Sequence, residues 1–157
     1  LHAEYRFNFQ SFDVERFELP SNFLDRQQEL EVATNTFAPA SGITAIRIER
    51  FDPLEAWVDA PAHPEFPGTR RGIFQVRILV TRPASSDLRI EGLQEFFLAS
   101  RDSTLPGGQV RPFFEMIGQV DQSNAMKDVS PPLTGVLPFS ELSSWGAFKV
   151  LYLTVAP

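Results

Sequence analysis

The sequence predicts an all-β chain, an antiparallel β-sandwich whose leading topology is an eight-stranded jelly roll with long loops and one or two short helical turns. Apolar and polar residues alternate with period two in several segments, most clearly at Phe74, Val76, Ile78 and Val80. The 13 Pro and 9 Gly require many loops. No segment shows a strong amphipathic helical period. An immunoglobulin-like sandwich is the second topology considered.

Up to residue 42, the sequence predicts a strand at 5–9, one or two helical turns at 21–29, a strand at 30–32 and a loop at 33–42. Tyr5, Phe7 and Phe9 alternate with polar residues, which is the period of a half-buried strand. Ser21 and Asn22 are candidate N-caps for the helical turns. We therefore expect short elements with little helix in this part of the chain.

Between residues 43 and 99, the sequence predicts one strand, or two bent at Pro53, over 43–59, a loop at 60–72, a strand at 74–80, a short strand at 88–90 and a strand or helical turn at 93–99. The loop carries three Pro and two Gly. Arg77 is expected on the side of its strand opposite Val76 and Ile78.

In the last part of the chain, the sequence predicts a loop at 100–109, a strand at 110–120 and a polar loop at 121–135. After these it predicts a short apolar segment at 136–139, a capped turn at 140–145 and a strand at 148–155. Pro112 interrupts the first of these strands. The final segment is apolar at alternate positions on both faces, with Val150 on one and Leu151 on the other. Such a strand is expected to lie centrally or under a second layer.

Length and composition limit the classes of protein. The 157 residues fit one sandwich domain, residues 1–157. The absence of Cys excludes a disulfide scaffold, a Cys-zinc site and a thiol nucleophile. No apolar run reaches the roughly 20 residues of a transmembrane helix, and no membrane partner is predicted. Because the chain begins at Leu1, we expect it to lack an N-terminal segment.

The net charge and the small number of residues suited to catalysis favour a protein that is not an enzyme. Twenty acidic against 14 basic residues give a net charge of −6, which disfavours a generic nucleic-acid surface. His2 lies at a terminus that is expected to be mobile. His63 is interpreted as a solvated loop residue rather than a metal ligand or a base. No catalytic residue, metal site or cofactor is predicted.

Four arginines are candidates for contact with nucleic acid or a neighbouring subunit: Arg70, Arg71, Arg47 and Arg50. The adjacent pair at 70 and 71 lies between Gly68 and Gly72 and is the most basic part of the chain. Arginine pairs with phosphate or carboxylate through its planar fork. The alternative for this pair is a solvated loop without a ligand.

Four aromatic residues are candidates for a subunit interface: Trp57, Trp145, Phe96 and Phe113. A Trp is also a platform for sugar binding, although it packs more often at a core edge or an interface. Phe96 and Phe113 are each followed by a second Phe. Neighbouring residues of a strand point to opposite faces, so one of each pair needs a cover outside the core.

Residues 43–80 resemble part of a known family. A long strand containing Ile46-Arg47-Ile48, a Pro-rich loop containing Phe66-Pro67-Gly68-Thr69 and a hydrophobic strand up to Val80 follow one another. This order is similar to the second and third strands of small icosahedral virus coat proteins, tymovirus-like ones in particular. Residues 148–157 resemble a late strand of the same jelly rolls. Together these segments cover about a third of the chain.

The resemblance implies a capsid subunit that is located in the virion. Its implied partners are copies of itself or related coat subunits, and packaged nucleic acid contacted through residues that precede Leu1. Fifteen Phe, and 12 Arg among the 14 cations, also favour a subunit of a symmetric assembly. The alternative function is a secreted or surface β-sandwich module that binds carbohydrate or protein.

Overall fold

The computed structural model describes residues 1–122 and 140–153 as a mostly β fold with three helices. Its strands are β1 (Arg6–Asn8), β2 (Phe23–Asp25), β3 (Ala45–Pro53), β4 (Val58–Ala60), β5 (Thr69–Thr81), β6 (Asp87–Thr104), β7 (Val110–Asp121) and β8 (Ser140–Ser143). Its helices are α1 (Ser11–Arg16), α2 (Arg26–Phe37) and α3 (Trp145–Leu153), with a short 3-10 turn at Pro39–Ser41. The prediction of a mainly β chain is confirmed.

All eight strands belong to one mixed sheet. Its order is β2-β1-β7-β6-β5-β3, with β4 beside β5 and β8 beside β6. The β5, β6 and β7 strands are consecutive antiparallel neighbours, but β1 runs parallel to β7 and β8 runs parallel to β6. The prediction of purely antiparallel pairing is therefore wrong, because a period-two pattern reports burial and not strand direction. A second sheet and jelly-roll connectivity are not confirmed in the described part of the chain.

The β5 strand has the alternation that its sequence predicts. Phe74, Val76, Ile78 and Val80 are all buried. On the opposite side, the Arg77 Nη2 atom donates to Glu91 Oε1 at 2.5 Å. The predicted buried face and the predicted position of the arginine are both confirmed.

The α2 helix replaces the strand predicted at 30–32 and the first half of the loop predicted at 33–42. It begins after Asp25 and not at Ser21 or Asn22. The Asp25 Oδ1 atom accepts from the Gln28 backbone N at 2.9 Å, and Gln28 Oε1 accepts from the Asp25 backbone N at 3.0 Å. This capping box stabilises a 12-residue helix, which is longer than the predicted one or two turns.

The α3 helix occupies residues for which a strand was predicted at 148–155 and a turn at 140–145. Ser144 begins the helix, since its Oγ atom accepts from the Ala147 backbone N at 2.9 Å. Phe148 and Tyr152, four residues apart, are buried on the same helical face. A short continuous apolar run does not distinguish a buried strand from a buried helix, which is why the strand prediction is wrong here. Residues 140–143 form β8 instead of a turn.

Further segments differ from the predictions. The loop predicted at 60–72 becomes part of β5 from Thr69 onward, and the separate elements predicted at 88–90 and 93–99 are one strand, β6. The β6 strand extends through the first half of the predicted loop at 100–109, and the turn to β7 closes where Leu105 N donates to Gln109 O at 2.8 Å. His2, which was expected at a mobile terminus, is buried, and its backbone N donates to Met116 O at 2.9 Å. The predictions for 121–135 beyond Gln122, for 136–139 and for 154–155 lie outside the described residues.

One hydrophobic core joins the helices to one side of the sheet. Its buried members come from the strands and from α2 and α3: Tyr5, Phe7, Phe9, Leu24, Val32, Phe74, Val76, Ile78, Val80, Leu88, Ile90, Phe148, Val150 and Tyr152. The Asn35 Nδ2 atom also donates to Tyr152 O at 2.8 Å and so ties α2 to α3. None of the helices in the described residues is long and apolar enough to cross a membrane.

The Ile78→Ala substitution tests this core. Ile78 is buried on β5 opposite Ile90 of β6. Removing its side-chain carbons is expected to lower the free energy of unfolding by about 2–5 kcal/mol. Urea unfolding measures the change, with Val110→Ala as a control at a position that is 60% exposed. The control is expected to change stability by less than about 0.5 kcal/mol. A loss below about 1 kcal/mol for Ile78→Ala would contradict the assignment of the buried face.

Candidate functional site

The β3 strand forms a free edge of the sheet, because β5 is its one hydrogen-bonded neighbour among the described strands. Ile46 and Ile48 lie opposite Val80 and Ile78, so they continue the apolar side of the sheet that forms the core. Phe51 continues the same side after a bulge between Ile48 and Arg50. These three side chains are nevertheless 38%, 64% and 50% exposed, respectively. The apolar side of the sheet therefore extends beyond the part that the helices cover.

The other side of β3 carries alternating charges. Arg47 Nη2 lies 2.6 Å from Glu49 Oε1, and Arg50 Nε lies 2.7 Å from Asp52 Oδ2. Both arginines were predicted contact residues, and both lie on this exposed edge. Each is paired with an acid two residues further along the same strand. Exposed pairs of this kind contribute little to stability.

An open cleft of about 720 Å³ lies where β3 ends. It is lined by Pro53, Leu54, Glu55, Ala56, Trp57, Arg70 and Phe74. The Phe74 ring stacks on Phe51 with centroids 4.6 Å apart, and it lies 5.6 Å from Trp57 and 5.5 Å from Phe96. Phe74 and Trp57 thus form an aromatic floor of the cleft, and the stacking of Phe74 on Phe51 joins this floor to the apolar side of β3.

Gly72 allows the aromatic floor to pack against β5. A Cβ atom at this position would lie 3.0 Å from ring atoms of both Phe74 and Trp57. Carbon atoms pack at about 3.5–4.0 Å, so any larger residue would push the two rings away from the strand. The sequence placed this glycine in a loop, but it lies in β5, where its small size lets the two rings lie directly against the strand.

Arg70 and Arg71 lie on opposite sides of β5. Arg70 lines the cleft, where its Nη2 atom donates to Trp57 O at 3.2 Å. Arg71 instead lies 2.9 Å from Glu55 Oε1 and 3.3 Å from Glu95 Oε1. Burial raises the pKa of Glu95, and the Arg71 charge opposes this effect. Arg71 therefore compensates a buried carboxyl group, and Arg70 is the member of the pair that faces the cleft.

The structure brings together only some of the predicted contact residues. Trp57, Phe96 and Arg70 lie around Phe74 at the cleft. Trp145 lies elsewhere, at the start of α3, with its ring 6.4 Å from that of Phe148. Phe113 is 40% exposed on the β6–β7 hairpin, beyond the last residue pair between β5 and β6. The four aromatic candidates thus do not form one surface.

The sequence suggested that His63 is a solvated loop residue, but the structure shows that it organises its loop. Its Nδ1 atom accepts from Phe66 N at 3.1 Å, and its ring lies 4.5 Å from the Phe97 ring. The neighbouring Glu65 Oε2 atom accepts a hydrogen bond from Asn8 Nδ2. No cluster of three or more His, Asp or Glu side chains suited to a metal ion occurs within the described residues.

A buried chain of hydrogen bonds beneath α3 was not predicted. Tyr5 OH donates to Gln119 Oε1 at 3.3 Å, and Gln119 Nε2 donates to Gln94 Oε1 at 2.9 Å. Gln94 Nε2 then donates to Asp121 Oδ1 at 2.8 Å, while Gly146 N donates to Asp121 Oδ2 at 2.8 Å. A carboxylate at the N-terminus of a helix is stabilised by the unpaired backbone N–H groups there. This chain therefore fixes the start of α3 on the sheet.

Lys149 is buried in the same region and forms an ion pair with Glu29 of α2. Its Nζ atom also lies 4.2 Å from the centroid of the Phe7 ring. Burial lowers the pKa of Lys149, and the Glu29 carboxylate opposes this effect. The sequence contained a signal for Lys149, which interrupts an apolar run, but none for Gln94, which has Glu95 beside it. Both groups are enclosed by the core, so they support the position of α3 and do not open onto the cleft.

Comparison with protein-family models, curated proteins and solved structures gives no match.

Tyr5→Phe tests the buried chain through its dependence on pH. Burial raises the pKa of Tyr5 well above its usual value of about 10, and the Glu29 charge adds to this effect. The folded chain then keeps a proton that the unfolded chain loses, so the free energy of unfolding falls as pH rises above about 10. In Tyr5→Phe this contribution is absent.

We expect Tyr5→Phe to be about 1–3 kcal/mol less stable than wild type at pH 8, because Gln119 loses a donor. Above pH 10 the difference is expected to shrink by up to about 1.4 kcal/mol per pH unit. Urea unfolding at pH 8 to 11 measures the free energy of unfolding of both proteins. Any pH dependence that arises from Lys149 is present in both and cancels in their difference. Parallel curves would show that Tyr5 titrates normally in the folded state.

Proposed function

We propose that the chain is a non-enzymatic structural subunit that associates with copies of itself. The observation that carries this proposal is the exposed apolar side of β3, where Ile46, Ile48 and Phe51 extend the core side of the sheet but stay 38–64% exposed. Contiguous apolar surface of this kind marks an interaction site in soluble proteins. In a contact between two copies, the same side chains are buried on both subunits, so the apolar area removed from water is doubled.

The cleft adds to this surface. Leu54 is more than half exposed beside Trp57, and the aromatic floor continues to Phe96. Arg70 supplies a cation at the rim. Aromatic residues and arginine are enriched at the centres of protein interfaces, so the composition of this region fits a contact between subunits.

A coat protein of a small icosahedral virus, located in the virion, is the specific form of this proposal. It rests on the resemblance of residues 43–80 to coat-protein strands, and it would require those strands to belong to a two-sheet jelly roll in the assembled shell. Electron microscopy of the purified protein tests this form separately. Closed shells would support it, and small oligomers alone would limit the proposal to an assembly subunit.

The cleft also supports a second candidate, a module that binds carbohydrate or protein. Its volume of about 720 Å³ is in the range of ligand pockets, and its lining is mainly apolar with Glu55 and Arg70 as polar groups. Trp57 offers an aromatic surface for a sugar or a side chain. This candidate requires a monomer whose cleft remains open, which separates it from the first.

The mass of the protein in solution tests the assembly proposal. At micromolar concentration and physiological salt, light scattering after size-exclusion chromatography is expected to give a multiple of the 17.7 kDa chain mass. Ile48→Ser is expected to weaken association by about 100-fold, since each of two copies would lose roughly 1.5 kcal/mol of apolar burial.

Phe37→Ser is the control for this experiment. Phe37 is 77% exposed at the end of α2 and is not part of the β3 strand, so its replacement is expected to leave the mass unchanged. A wild-type chain that remains at 17.7 kDa throughout the concentration range would contradict the assembly proposal and favour the binding module.

A further inference from the structure

The free edge of β3 has a pattern that is complementary to itself. The charges on its polar side occur in the order Arg47, Glu49, Arg50 and Asp52, that is, positive, negative, positive, negative. Reading this order backwards exchanges the signs. An antiparallel neighbour with the same sequence therefore offers an opposite charge at each of these positions.

We propose that β3 pairs antiparallel with β3 of a second copy, about a two-fold axis that passes between Glu49 and Arg50. This proposal specifies the contact of the assembly proposed above and rests on it. In this register, Arg47 lies opposite Asp52 of the other copy, and Glu49 lies opposite Arg50. Because the axis is two-fold, each of these contacts occurs twice.

The same register also matches the apolar residues. It places Ile48 opposite Phe51 and Ile46 opposite Pro53 of the second copy. These residues lie on the core side of the sheet, opposite Ile78, Val76, Val80 and Phe74 of β5. Each dimer would thus contain two Ile–Phe and two Ile–Pro contacts on one side, and four pairs of opposite charges on the other.

The bulge in β3 makes this register possible. In a regular strand, residues an odd number of positions apart point to opposite faces, so Ile48 and Phe51 would not share a side. The extra residue between Ile48 and Arg50 shifts the alternation, and both side chains lie on the core side. Two bulged strands can therefore pair with apolar residues opposite apolar residues and charged residues opposite charged residues.

Neighbouring registers do not share this property. Moving the axis onto Glu49 places that carboxylate opposite itself and Ile48 opposite Arg50. Moving it onto Arg50 places two guanidinium groups together and Ile48 opposite Asp52. A parallel pair in register aligns every charge with its own copy, and like charges directly opposite are destabilising. Charge and polarity therefore select one register and one direction.

Charged edge strands often prevent association, since an incoming strand must leave those charges in water or unpaired. Here each arginine already has an acid at 2.6–2.7 Å within its own strand. Pairing of two copies adds a second opposite charge to each group instead of removing the first. The charges that would exclude an unrelated strand are thus compatible with a second copy of this one.

Two single charge reversals test the register. Arg50→Glu makes the strand acidic at both 49 and 50, and Glu49→Arg makes it basic at both. Each variant alone places like charges opposite one another twice, so we expect the dimer dissociation constant to rise roughly tenfold or more. When the two variants are mixed, every acidic position again lies opposite a basic one. Equimolar mixing is therefore expected to restore a dimer that contains one copy of each.

Sedimentation velocity with one variant fluorescently labelled measures this heterodimer directly. The double variant Glu49→Arg/Arg50→Glu, which exchanges the two charges, is expected to form homodimers as wild type does. Arg111→Glu, on the exposed part of β7, is the control and is expected to leave dimerisation unchanged. Recovery on mixing also shows that the single variants are folded.

The outcomes separate this inference from the assembly proposal. If wild type associates but Arg50→Glu associates equally well, or the mixture fails to recover, the β3 register is wrong while assembly through another surface stands. If wild type itself stays monomeric at all concentrations, both proposals are overturned. Recovery of the heterodimer from two variants that do not associate alone would establish the register.

Discussion

The β5–β6 ladder is the constraint on which the rest of the structure depends. It runs without a register shift from the pair Arg70–Leu98 to the pair Val80–Leu88. An uninterrupted antiparallel ladder fixes which side chains point to each side, since one residue of slippage would exchange the two sides. The alternation of β5 therefore determines where the helices pack. It also determines that the core side of β3, which pairs with β5, is apolar although the helices do not cover it.

The position of α3 depends on polar groups inside this framework. Asp121 lies at the end of β7 and accepts the backbone N–H of Gly146, while Lys149 reaches Glu29 of α2. A buried cation is costly without a partner, so the Lys149–Glu29 pair favours one placement of α3 over α2. Apolar contacts such as those of Phe148 and Tyr152 do not depend on direction, whereas these polar contacts do.

The sequence predicts this fold best where one physical signal decides the structure. The alternation through Phe74 and Val80 has one interpretation, because a two-residue period with one buried face fits a strand and not a helix. Residues 148–153 are different, since their apolar character suits a buried strand and a buried helix equally. The deciding contacts are the Ser144 cap and the hydrogen bond from Asn35 of α2 to Tyr152, and the second joins residues that are distant in sequence.

In the candidate site, too, the sequence predicts one part of the arrangement and the tertiary structure decides the other. Trp57, Phe96 and Arg70 were recognisable by residue type, but their assembly around Phe74 depends on the register of β5 with β6 and on the small size of Gly72. Trp145 has the same residue type as Trp57 and lies in another part of the fold. Residue type thus predicted which groups are suited to an interface, and the strand register decided which of them share a surface.

Charge and apolar surface have separate roles on β3. Exposed ion pairs contribute little free energy, so Arg47, Glu49, Arg50 and Asp52 cannot hold two subunits together by themselves. In the proposed dimer, burial of apolar side chains is the main source of association free energy, but it does not depend on direction. Apolar contact alone would allow β3 to pair in several registers, including parallel ones. The alternating charges make those registers unfavourable, so in the proposed dimer β3 combines an attractive side with a side that specifies the direction and register of the second copy.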